Sequence, residues 1–138
     1  ERFMSEVKEL AEKLKSEGEK FVSFYSGLTG EQWMTEVYTE GSVWTIRNIL
    51  AHLVTAERAF NKLFPSIQTG GPGVSEDFDI DRYNARQQEK TRELNSQELL
   101  EQYRVVRADM IAWVSSLAEA DLEKKAAILI LARRPCAR

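Results

Sequence analysis

Apolar positions along the chain recur with a helical period over long stretches. Phe3, Val7, Leu10, Leu14, Phe21, Phe24 and Leu28 follow one another in alternating steps of four and three, with one position missed at Glu17. That spacing lines one stripe of an α-helix and leaves Glu6, Lys8, Glu12, Lys13 and Lys15 on its other faces. Gly18 weakens the middle of this helix without outweighing the pattern. The Gly27–Gly30 region predicts its end.

Residues 30–43 read as a connector with a short helical turn around Glu31–Met34. The next helix is expected to start near Thr45, whose hydroxyl can cap the free amides of the first turn, with Trp44 placed to pack back on that turn. Ile46, Ile49, Leu50, Leu53, Phe60, Leu63 and Phe64 make its expected buried face. This helix is predicted to be the central one, with Leu53 and Phe60 almost fully enclosed. Pro65 is predicted to end it, because proline lacks the amide donor and clashes with the preceding turn.

Residues 65–78 then read as the one long loop, rich in glycine and proline, and loops of that length are often functional or mobile. Asp79–Leu94 is polar and predicts a shorter helix lying across the others. Asn95, with Glu98 three residues on, offers a capping box for a further helix whose stripe is Leu99, Tyr103, Val106, Met110, Trp113 and Leu117. After a break near Ala118 comes a weak helical piece, Ala120–Leu131. No strand-like alternation and no internal repeat stands out. Each long helix buries only one stripe, so the three must share a core. The expected architecture is therefore all-α: one domain over 1–138, an up-and-down four-helix bundle whose last helix is short or missing. Stripes left uncovered in such a bundle predict self-association, most simply as a homodimer.

Composition narrows the partners. At 43% apolar and 30% charged residues the chain suits a folded globular protein. A net charge of -3, with Lys and Arg interleaved among Glu, argues against nucleic acid as a partner. The only local basic excess is Arg133, Arg134 and Arg138. A single cysteine, Cys136, excludes an intrachain disulfide and a thiolate cluster built by this chain alone. No apolar run approaches the roughly 20 residues of a membrane span. The first residues lack the plan of a signal peptide, so the expected compartment is the cytoplasm.

His52 is the only histidine. At about 100° per residue it falls roughly 80° from the centre of the face built by Ile49, Leu53 and Phe60. Small neighbours at Ala56 and Ala59 leave space beside it. That position serves either a half-buried histidine bonded to a carbonyl or carboxylate, or a metal ligand lining a cleft. Glu57, Asp81 and Asp109 are the carboxylates that could join it if the fold brings them near. The serines have no histidine at a suggestive spacing, so a serine triad is not expected. Gly70-Gly71-Pro72-Gly73 lacks the lysine of a phosphate loop and reads as a turn.

The string Val43-Trp44-Thr45-Ile46-Arg47-Asn48-Ile49-Leu50-Ala51-His52-Leu53, with Glu57 beyond, resembles the second helix of the DinB-like superfamily. Phe78-Asp79-Ile80-Asp81-Arg82-Tyr83-Asn84 and the stretches Ser96–Leu100 and Leu117–Leu122 resemble subgroups of the same family, in the same order. The resemblance implies a four-helix bundle, often dimeric, holding a divalent metal, zinc or nickel, at one end. Relatives include mycothiol-dependent maleylpyruvate isomerase and other thiol-dependent transferases. His52 matches the ligand given by the second helix, while two further ligands, four residues apart, come from the family's last helix. Here the sequence after Leu122 runs Glu-Lys-Lys-Ala-Ala-Ile-Leu-Ile-Leu-Ala-Arg-Arg-Pro-Cys-Ala-Arg, with no second histidine. Either the native chain continues further, or the terminus is altered, or this member has lost the metal; the expectation is one of the first two. The resemblance thus implies a protein of unassigned reaction, either a metal-dependent enzyme acting with a low-molecular-weight thiol or water or its inactive descendant, with the metal site incomplete in this chain. The rival is a non-enzymatic bundle that dimerises or binds a small apolar ligand. No catalytic or cofactor-binding residue beyond His52 is identified.

Overall fold

A computed structural model describes residues 5–39 and 41–122. The first helix, α1 (Glu6–Ser26), is capped by the Ser5 hydroxyl, which accepts from the Lys8 amide, and carries Glu6 and Glu9 in its first turn, where the helix dipole favours acids. Val7, Gly18 and Tyr25 are its buried residues. The expected stripe slips by one position at its end: Phe24 is 56% exposed and Tyr25 is buried. The phenol accounts for the exchange. Tyr25 donates to the Ile46 carbonyl at 2.9 Å and packs against Phe21 and Trp33, satisfying a polar tip that phenylalanine lacks.

A single helical turn, α2 (Gly30–Trp33), follows behind a capping box of Thr29 and Gln32. The connector then holds two strands, β1 (Glu36–Thr39) and β2 (Ser42–Thr45), paired antiparallel with Val37 opposite Trp44. This corrects the expectation of no strand. The segment is rich in β-branched and aromatic residues, but four residues per strand are too few for a period of two to show. Gly41, at φ 81°, supplies the positive angle that a tight hairpin turn requires.

Helix α3 (Ile46–Gln68) begins at Thr45 as expected, with Thr45 and Asn48 in a reciprocal capping box. It does not stop at Pro65. One missing amide costs the helix a single hydrogen bond, and Gln68 holds the extra turn by accepting from Trp113 Nε1 and donating to Asp121. Helix α4 (Ile80–Thr91) starts on the Asp79 side chain. Arg47 Nη2 closes its C-terminal end from outside, donating to the carbonyl of Thr91 in the last turn and to those of Arg92 and Leu94 just past it, at 2.7, 3.3 and 2.5 Å. Helix α5 (Ser96–Ser115) has the Asn95–Glu98 capping box read from the sequence.

Helix α5 lies between α1 and α3 and packs on both, while α3 packs on α5, α4, β2 and α2, so the two share the centre of the bundle. Leu99, Leu100, Tyr103, Val106, Met110 and Val114 are its buried residues. Tyr25, Trp33, Leu50, Ala51 and Val54 close the core against its first half. The expected enclosure of Leu53 and Phe60 is overturned: Leu53 is half-buried and Phe60 is 43% exposed. The face of α3 that meets α5 is instead Leu50 and Val54 continued by the polar residues Glu57, Arg58 and Asn61, each bonded to a partner on α5. Apolarity alone selected the neighbouring face. Of the expected piece at 120–131, Asp121 and Leu122 are helical and the rest lies outside the described residues. The architecture is all-α, apart from the small hairpin. Among the described residues no helix is long and apolar enough to cross a membrane.

Candidate functional site

His52 stands on the second turn of α3, set there by the Thr45 cap. At about 100° per residue it points about 160° from both Leu50 and Val54, away from the side that meets α5. The aromatic ring of Trp44, brought over α3 by the hairpin, lies 5.3 Å from the imidazole, centroid to centroid, at an interplanar angle of 50°. His52 is therefore half-buried although it faces away from the core. Burial pushes its pKa below the ordinary 6.5, favouring the neutral imidazole. No hydrogen bond to either ring nitrogen is made among the described residues.

The carboxylates that the sequence offered as companions go elsewhere. Glu57 receives a bidentate contact from Arg107, with Nη2 at 2.7 Å and Nε at 3.0 Å. Arg107 also donates from Nη1 to the Leu14 carbonyl at 2.9 Å, and its guanidinium carbon sits 5.5 Å from the Tyr103 ring centroid. Burial works against the charge of Arg107, but the hydrogen bonds and charge of Glu57 outweigh it, so its pKa is raised. Both side chains are less than one fifth exposed. This pair ties α1, α3 and α5 together and occupies Glu57 fully. Asp81 is exposed on α4, and Asp109 borders a separate depression beside Asn61 and Lys62. Among the described residues no three His, Cys, Asp or Glu side chains converge on a point that could hold a metal. The described part of the chain thus fits one ligand position, not a coordination shell.

Above the Glu57–Arg107 pair runs a hollow of about 260 Å³, bordered by Phe21 on α1, by Leu53, Ala56 and Phe60 on α3, and by Tyr103 on α5. Sequence reading did not find Arg107. Arg107 falls beside an apolar stripe, four residues after Tyr103, but nothing in the sequence alone ties it to Glu57 or to Gly18, the one glycine of α1. A Cβ added at Gly18 would lie 2.9 Å from Arg107 Cγ, so glycine is what lets the arginine stem pass.

The described chain is thus a bundle built on three long helices, with His52 following a tryptophan-bearing hairpin on one of them. A sequence model of the DinB superfamily matches residues 13–127, and the chain belongs to that superfamily. No curated protein and no solved structure matches the chain.

Proposed function

We propose that this protein is a DinB-superfamily metalloprotein in which His52 provides one ligand to a divalent ion, zinc or nickel. The observation that carries the reading is the state of the imidazole: favoured neutral by burial, braced by Trp44, and free of any competing hydrogen bond among the described residues. A neutral ring nitrogen with no other partner is what coordination requires. When bound, such an ion lowers the pKa of a coordinated low-molecular-weight thiol or water and makes it a nucleophile. The chain's own contribution is to orient His52 through the Thr45 cap and the indole of Trp44, and to shield one side of the ring from water.

One imidazole leaves most coordination positions to water, to a carboxylate or to a second copy of the chain, so the ion is held weakly. Zinc or nickel titrated into protein free of a histidine tag binds and is removed by dialysis against a chelator, and His52→Ala abolishes the binding. Stoichiometric metal that survives the chelator, or binding unchanged in His52→Ala, sinks the reading.

The hollow above Glu57 and Arg107 favours a second reading, a bundle that takes up a small apolar molecule or pairs with a second copy there. Its Phe60 rim is 43% exposed, an unusual place for a large apolar ring to be left open. Sedimentation at tens of micromolar gives a dimer under this reading, and Phe60→Glu shifts it to monomer. A monomer in both cases removes the pairing.

A further inference from the structure

The hydrogen bonds between α3 and α4 among the described residues all lie at one end, where Asn48 Nδ2 donates to Gln88 Oε1 and Gln88 Nε2 donates to the Asn48 carbonyl. Further along, a cleft of about 740 Å³ opens between the two helices, with Gln102 of α5 in its wall. This cleft lies on a different side of α3 from the Glu57–Arg107 hollow. Among the described residues its wall contains Arg58, Lys62 and Lys90 and no carboxylate. The composition of the chain would not give that balance by default, since its 22 acidic residues outnumber the 19 basic ones.

None of the three cations is in an ion pair among the described residues; Arg58 donates instead to the neutral Gln102 Oε1, at 2.8 Å. Glu101 and Asp109 border an adjoining depression that shares Arg58 and Lys62, yet neither pairs with them. Like charges gathered around a concave wall repel one another and focus a positive potential into it, which a bound anion relieves. Tyr83, half-buried, and Leu63 give the same cleft an apolar side able to carry an organic body.

We infer that the cleft between α3 and α4 binds a small organic anion through its phosphate or carboxylate groups, with Arg58, Lys62 and Lys90 as the recognising charges. Guanidinium and ammonium donors serve both kinds of oxyanion, so two probes separate the sources. Inorganic pyrophosphate and citrate are each titrated calorimetrically into the metal-free protein at an ionic strength of about 0.1 M, where the Debye length is about 10 Å. The tighter of the two identifies the group recognised. The paired substitution Lys62→Glu with Lys90→Glu weakens binding by roughly tenfold or more, the scale of losing charge-assisted contacts. Lys13→Glu with Lys20→Glu makes the same change in net charge on α1 and alters affinity by less than about twofold, because solvent screens exposed distant charges. His52→Ala leaves anion binding unchanged, which keeps this site separate from the proposed metal ligand. Equal weakening by the two paired substitutions, or no binding of either anion at millimolar concentration, overturns the inference.

Discussion

Leu50 and Val54 have no exposed surface, whereas Leu53, between them in sequence, is half-buried beside the open hollow. Truncating an enclosed side chain removes its transfer free energy and leaves a void, so Leu50→Ala costs about 2–5 kcal/mol. Leu53 already borders solvent and its site can be refilled by water, so Leu53→Ala costs less. Urea midpoints for the two variants decide the matter, and a larger loss for Leu53→Ala would restore the face chosen from apolarity. His52 gives a second residue-scale expectation. Its folded pKa lies below the ordinary 6.5 because burial disfavours the imidazolium. The unfolded chain therefore takes up the proton first as pH falls, and the native protein loses stability relative to His52→Gln from pH 8 towards pH 5. The slope begins near 6.5 and levels off below the folded value. Denaturant midpoints in the presence of a chelator measure it, and a parallel pH dependence in the two proteins would show that burial does not act on this ring.

Between elements, the joint at Gly18, Glu57 and Arg107 holds α1, α3 and α5 in one arrangement. Removing one partner of a buried pair leaves the other charge uncompensated, so Arg107→Met costs about 3–5 kcal/mol. Adding Glu57→Met recovers a large part of that loss, because two apolar side chains of similar length need no counter-charge. If the double variant is as unstable as the single one, packing rather than charge governs the joint. Gly18 yields a change of sign. Alanine is the better helix former by about 1 kcal/mol, yet its Cβ meets Arg107 Cγ at 2.9 Å, on a stem fixed at its far end by Glu57 and Leu14. Gly18→Ala therefore destabilises the native protein and stabilises the Arg107→Ala background. Thermal melts of the four proteins read this directly. The helices themselves were legible because capping residues and apolar spacing are local signals: Thr45, Asn95 and the Leu99–Tyr103–Val106–Met110 stripe all stand as read. The hairpin, the passage through Pro65 and the true face of α3 were not. Each depends on a distant partner, namely Thr35 accepting from the Ile46 amide, Trp113 and Asp121 on Gln68, and α5 on Glu57, Arg58 and Asn61. The same holds at the candidate site: the tryptophan-to-histidine spacing made His52 visible, whereas Arg107 becomes legible only once α1, α3 and α5 are brought together.

Over the molecule as a whole, resistance to opening should follow the way its parts are bonded. The hairpin is anchored to α3 by the Ile46 amide, which donates to the Thr35 carbonyl at 3.0 Å, and α4 is held by the Arg47 guanidinium at one end. Among the described residues the segment between α3 and α4 is tied only near its ends, by the Gly70 and Gly71 amides to the last turn of α3 and by Phe78, whose ring lies 5.4 Å from that of Tyr83. Residues 72–80 are all exposed, including Val74, Phe78 and Ile80, and the backbone bond inside that stretch is from the Phe78 amide to the Ser75 carbonyl. The Ser75 hydroxyl also donates to Asp77, a contact confined to the segment itself. Local opening that exposes a cleavable backbone is cheapest where few bonds and little apolar burial are lost. Limited proteolysis should therefore cut first within residues 72–78, where chymotrypsin meets Phe78 and a glutamate-specific protease meets Glu76. Two proteases of different specificity cutting the same segment would show that access, not sequence preference, sets the site. A first cut within α5 by either enzyme would mean that the helix packed on both its neighbours opens before the loop does, and the placement of α5 between α1 and α3 would then be wrong.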